Sequence, residues 1–391
     1  MRPSLLGLLA LPLFLAGCSI NGPYHTGYGE EASKPTSGGL PGSGEQKQSI
    51  FTVCCGQKEE TKELRRSFKL AFVEFDNQGD FFNFHQLDSL LVDLHNSPGH
   101  ILLITYVHGW QNNADVEGLG PHAKDAEVQK ALNDFKVNVN DEAGDVQRFK
   151  HFLAVLANIP STQGMHIYGI YLGWRGELIK NPSNDPITKY AIMTVPRALT
   201  FWSREATATK MGDSSAFGVT LQAIRSFAQQ QGNRVVTVYM GHSFGAKILE
   251  QAVTQWALRQ FGTQLGQSSH PKDEYFAQPF GNMVLFMNPA SQSIYARRLT
   301  EILKAYPDNY YLYRPLFIGV SSTTDAATGV AFPIGTTLGT AFGAYRTFQN
   351  GTDQSTYFRT TSVNNEYLRN GEVDVSPEKG TCPDKVDREL G

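Results

Sequence analysis

An α/β fold with a mostly parallel central sheet and helices on both faces is what this sequence predicts, on three observations. Short β-branched or aromatic runs alternate along the chain with helical patterns. The runs are apolar nearly throughout, as strands buried on both faces are. The segments between them carry apolar residues three and four apart, the spacing of a core-facing helix stripe. With 391 residues, 41% of them hydrophobic, the chain can bury one large core, and the run spacing suggests one domain.

The amino-terminal stretch reads as an address. Arg2 is followed by the apolar run LLGLLALPLFLAGCSI, too short for a spanning helix and right for a secretory signal over 1–17. Its end, Leu15-Ala16-Gly17-Cys18, resembles the lipobox of bacterial lipoproteins. That resemblance implies cleavage before Cys18, diacylation of its sulfur, and a protein anchored to a membrane of the cell envelope. Ser19 in the next position implies passage to the outer membrane, facing the periplasm. From Cys18 to residue 62 the chain reads as a tether, since residues 19–48 are rich in Gly, Ser and Pro without apolar periodicity.

The domain proper is expected over 63–391. Its strand-like runs are KLAFVEF (69–75), ILLITYV (101–107), HIYGIYL (166–172), RVVTVYM (234–240), NMVLFM (282–287) and PLFIGVS (315–321). Helix stripes fall between them at Leu87, Leu90, Leu91 and Leu94, then Phe149, Phe152, Leu153 and Leu156, then Leu221, Ile224 and Phe227, and then Ile248, Leu249, Ala252, Val253 and Trp256. The long insert over 111–145 is expected to fold over the site as a lid.

With 34 basic and 37 acidic side chains the net charge is -3, which carries no footprint for nucleic acid. Beyond Cys18, the cysteines are Cys54, Cys55 and Cys382. They read as one structural bridge to Cys382, or as free thiols. No CxxC or HxxxH spacing is present, so neither a metal nor a cofactor is expected.

Three motifs carry chemistry. In GHSFG, Gly241 and Gly245 flank Ser243 between a strand-like run and an amphipathic helix, the setting of a nucleophile elbow. The plain alternative is a buried serine in a tight turn. In YVHGWQNN, His108-Gly109-Trp110 follows another strand, where a loop can aim a backbone N–H at a developing oxyanion. The expected donors are the amides of Trp110 and Phe244. In GVSSTTDAAT, Asp325 lies just past a late strand, where a carboxylate orients a catalytic histidine, although exposed loop aspartates are common.

VHGW, LGWRG (172–176), TFWSREATATKMG (200–212) and GHSFGAKIL occur in an order that resembles a group of α/β-hydrolase-fold proteins, over roughly residues 68–330. The resemblance implies that fold, Ser243 as nucleophile, Asp325 as triad acid, and ester hydrolysis.

The triad of that family needs a histidine after the acid, and none follows Asp325; the last of the ten is His270. A helix of about 17 residues runs roughly 25 Å from the elbow, so the loop with His270 emerges at the opposite sheet edge. His242 is expected to pack beneath the turn. His108 and His122 follow a strand on the nucleophile's edge and are the better candidates for the general base. Lys247, one turn after Ser243, reads as a residue on an exposed helix face rather than the base of a Ser-Lys pair. Two functions follow: a membrane-anchored serine hydrolase acting on acyl-ester or lipid substrates, or a silent hydrolase-fold lipoprotein used for binding or as a scaffold.

Overall fold

The computed structural model describes residues 22–25, 48–53, 66–110, 112, 114, 145–176, 186–262, 280–304, 317–320, 354–359 and 361. Among these residues, seven strands form one sheet: β1 (Ile50–Val53), β2 (Phe68–Glu74), β3 (His100–Val107), β4 (Met165–Gly173), β5 (Val235–His242), β6 (Met283–Met287) and β7 (Phe317–Val320). They lie in the order β1-β2-β4-β3-β5-β6-β7. β1 pairs antiparallel with β2, and every other pairing is parallel. The six expected runs all contain strands, with ends shifted by one or two residues.

Among the described residues, seven α-helices connect or follow the strands: α1 (Phe84–Asn96), α2 (Asp145–Asn158), α3 (Pro186–Asp213), α4 (Ser215–Gln231), α5 (Phe244–Gly262), α6 (Ser293–Lys304) and α7 (Gln354–Arg359). Because successive strand side chains alternate, the sheet has two cores. Ala71, Val73, Leu103, Val107, Ile170 and Leu172 meet the apolar faces of α1, α4 and α5. Leu70, Phe72, Ile104, Tyr106 and Tyr171 meet α2 through Val146, Phe149 and Leu153. Helices therefore cover both faces. Most residues of the expected stripes are buried; Leu91, Leu156 and Trp256 are partly buried against the cores, and Phe152 on α2 is 38% exposed.

Three features differ from the sequence expectation. The range assigned to the tether contributes an edge strand, β1, and a docked segment at 22–25, in which His25 is fully buried. The 28-residue α3 gives no clean apolar stripe, so its sequence reads only as a motif. Lys247 is buried rather than on an exposed helix face. The insert at 111–144 lies outside the described residues apart from Asn112 and Ala114.

Candidate active site

The parallel strands end together at one edge. The register sets Glu74 beside Gly173, Val107 beside Leu172 and Gly241, and Gly241 beside Phe286. Ser243 stands between β5 and α5 at the middle of this edge. Its backbone is left-handed, with φ 55°, a conformation that costs an ordinary L-residue roughly 1–2 kcal/mol. Surrounding bonds hold it there: Ser243 N–H donates to Met287 O at 3.0 Å, and Ser243 O accepts from Lys247 N–H at 3.2 Å and Ala290 N–H at 3.1 Å. A strained serine over-determined by its neighbours is a common mark of a functional position.

The two flanking glycines are there because the chain passes too close for a side chain. A Cβ on Gly245 would lie 2.1 Å from Val107 O, and one on Gly241 would lie 2.6 Å from Ala246 Cα. Their absence lets α5 start hard against the ends of β3 and β5. Gly109 approaches from the other side, where a Cβ would sit 2.9 Å from Ser243 Cβ, so the HGW loop lies directly beside the serine.

Neither the Trp110 nor the Phe244 backbone N–H has an acceptor among the described residues. Both belong to segments adjoining Ser243. The two side chains pack together, with ring centroids 6.5 Å apart, and Phe201 on α3 lies 5.4 Å from Trp110 and 5.0 Å from Phe244. The Trp110 indole N–H donates to Thr200 Oγ1 at 3.3 Å. Thus α3 braces the loop through an aromatic cluster.

His108 has a different role from that of a base. Its ring is fully buried. Nδ1 lies 3.0 Å from Gly109 O and Nε2 accepts from Trp174 N–H at 3.0 Å. A carbonyl only accepts and an amide N–H only donates, so Nδ1 carries the proton and the ring is neutral. Burial holds the imidazole below its ordinary pKa, outweighing the opposing pull of Asp145. Both nitrogens are taken, and neither is directed at Ser243. The Trp174 ring stacks on His108 at 5.5 Å, and its indole N–H donates to His108 O at 2.8 Å. His108 therefore serves to position the loop that carries Gly109 and Trp110.

The motifs far apart in sequence thus converge. LGWRG supplies Trp174 and the carbonyl of Arg175, to which Arg204 of α3 donates at 2.8 Å, with a second 2.8 Å bond to Asn77. Burial, and secondarily Arg175, lower the Arg204 guanidinium to about 10. Beneath the elbow, Lys247 pairs with Glu205 of α3, and Gln251 with Asp213. The roles of Trp174, Arg204 and the Glu205–Lys247 pair were not legible in sequence; the recurring aromatic and charged positions of TFWSRE were the available signal. On the opposite core face, burial and the Asp145 carboxylate push the Tyr106 and Tyr171 phenols well above their ordinary range.

Ser243 Oγ makes no hydrogen bond among the described residues. Asp325, His122, His270 and Cys18 lie outside those residues, as do Cys54, Cys55 and Cys382. His242 is half-buried behind the turn, its Nδ1 3.1 Å from the position a Gly109 Cβ would take. No protein-family model matches the chain, and neither does any curated protein.

Proposed function

We propose that the chain is a membrane-anchored serine hydrolase of the α/β-hydrolase fold, with Ser243 attacking acyl esters. The observation that carries this reading is the left-handed backbone of Ser243 at the β5–α5 turn, in a slot that admits only glycine at 241 and 245. That geometry projects a serine hydroxyl above the sheet edge instead of into the core. The antiparallel first strand and the order β1-β2-β4-β3-β5-β6-β7 agree with the hydrolase fold. The amides of Trp110 and Phe244, which have no acceptor among the described residues, are suited to hold an oxyanion. His122 and Asp325 remain the candidates for completing the proton relay. Anchoring is proposed through a diacylated Cys18.

A second reading has an observation of its own. His108, one of the two better-placed histidines in sequence, spends both ring nitrogens on backbone groups. A hydrolase fold without its base loses several orders of magnitude in rate, and would serve as a binding scaffold.

A fluorophosphonate probe separates the two. The soluble chain starting at Ser19 is treated with probe beside Ser243→Ala, whose fold is checked by circular dichroism. Labelling of wild type that vanishes in the variant is expected. A folded wild type that takes no label sinks the hydrolase reading in favour of the scaffold.

A further inference from the structure

Residues 22–25 are built into the same sheet edge as Ser243. The Glu74 carboxylate, at the end of β2, accepts from Tyr24 N–H at 2.8 Å and His25 N–H at 2.9 Å, and His25 Nδ1 lies 3.0 Å from it. Gln86 closes the ring of bonds, donating to His25 O at 2.8 Å and to Glu74 at 3.2 Å. The His25 ring stacks on Phe72 with centroids 3.9 Å apart. Such a segment is latched, with its backbone donors satisfied by a buried acid.

The direction of the chain through this latch matters. His25 sits deepest, against Phe72, and Gly22 emerges at the edge, lining a small cavity with Trp174 and Arg175. Only three residues separate Gly22 from Cys18, a span of at most about 14 Å of fully extended chain. Whatever is attached to Cys18 is therefore held at the edge that bears the serine, and cannot swing round to the far side of the domain.

That edge also exposes aromatic side chains. Trp202 is 50% exposed on α3, in the turn that packs Phe201 on Phe244, and Phe84 is 55% exposed at the start of α1, just past the β2 edge. An amphipathic indole favours the boundary between headgroups and acyl chains, and an exposed phenylalanine on the same side adds apolar surface to bury there.

We infer that this edge of the sheet lies against the lipid surface that holds the anchor, so that the Ser243 site opens toward the membrane. The inference rests on Cys18 carrying the lipid. The occupant is a phospholipid bilayer because the latch leaves too short a chain for the anchor to enter a membrane anywhere else.

The test uses the full-length protein, expressed with its signal, purified and reconstituted in phosphatidylcholine and phosphatidylglycerol vesicles, plain or carrying bromine on the acyl chains. Mass spectrometry of the amino-terminal peptide reads the lipid on Cys18. Tryptophan emission is compared for wild type, Trp202→Phe, and Trp202→Phe with Asn233→Trp, the last reporting on the exposed turn before β5 at the opposite edge. Expected is loss of wild-type emission in brominated vesicles, absent in Trp202→Phe and not restored by Asn233→Trp. Lipidated, vesicle-bound protein whose Trp202 is not quenched overturns the orientation alone, as does quenching at position 233. Protein without lipid on Cys18 overturns the anchoring reading and this inference together.

Discussion

The Trp174 backbone N–H donates to His108 Nε2 at 3.0 Å while its indole N–H donates to the His108 carbonyl at 2.8 Å. One residue of the β4 exit loop thus grips both the ring and the backbone of the loop beside Ser243. Trp174→Phe keeps the packing and removes the indole bond, stranding a buried carbonyl. The expected cost is about 1–3 kcal/mol, read from the urea midpoint. An unchanged midpoint would show that the bond does not support the loop.

Burial of His108 has a pH consequence. Its pKa is lowered from 6.5, so as pH falls below that value the unfolded chain takes the proton and the folded chain resists it. Stability from this site is present above the ordinary imidazole value and is lost on the acid side. Between about pH 7.5 and 5.5, wild type should lose more stability than His108→Gln, a variant that has no proton to take. Parallel pH profiles for the two proteins would contradict the assignment.

The space at the elbow makes a sharp prediction for Gly245. A methyl group there meets Val107 O at 2.1 Å, and the obstacle is backbone, not a side chain that can turn away. Gly245→Ala should cost about 3 kcal/mol or more by overpacking, and should reduce probe labelling of Ser243 even where the protein still folds. Thermal denaturation and labelling together check it.

Lys247 is almost fully buried and pairs with Glu205 of α3, which keeps about a quarter of its side chain in solvent. Lys247→Met should destabilise by roughly 1–3 kcal/mol, less than for a fully buried pair because water still reaches the carboxylate left behind. Adding Glu205→Gln should recover part of the loss. A double-mutant cycle with no coupling would remove the pair from the forces holding α3 on α5.

The latch at Glu74 is testable without any membrane. Glu74→Gln replaces one accepting oxygen with a donor facing the Tyr24 and His25 amides. Hydrogen exchange at those two amides should quicken, and stability should fall by about 1–3 kcal/mol. Unchanged exchange would mean that the segment is held by the Gln86 bond to His25 O and by Phe72 stacking.

How far the site was legible in sequence follows from the range of each interaction. GHSFG is local: its glycines, the strand before it and the helix after it lie within one short stretch, so the turn could be placed without knowing the rest of the fold. The role of His108 was not, because HGW reads the same whether the ring faces a serine or Trp174, 66 residues away. Lys247 was misplaced for the same reason, since its partner Glu205 comes from another helix. β1 escaped notice because a four-residue edge strand has no room to display a period.

By itself the sequence determined the α/β class, the run of buried strands and the turn that carries Ser243, because those depend on periodicity and on residues adjacent in the chain. The tertiary structure decided what shares an edge with that turn. The burial of Lys247, the neutral and fully hydrogen-bonded state of His108, the bracing of Trp110 by α3 and the docking of His25 on Glu74 all join residues brought together only when the sheet closes its order. Such contacts leave no periodic trace in the sequence, since each partner is chosen by geometry across the core.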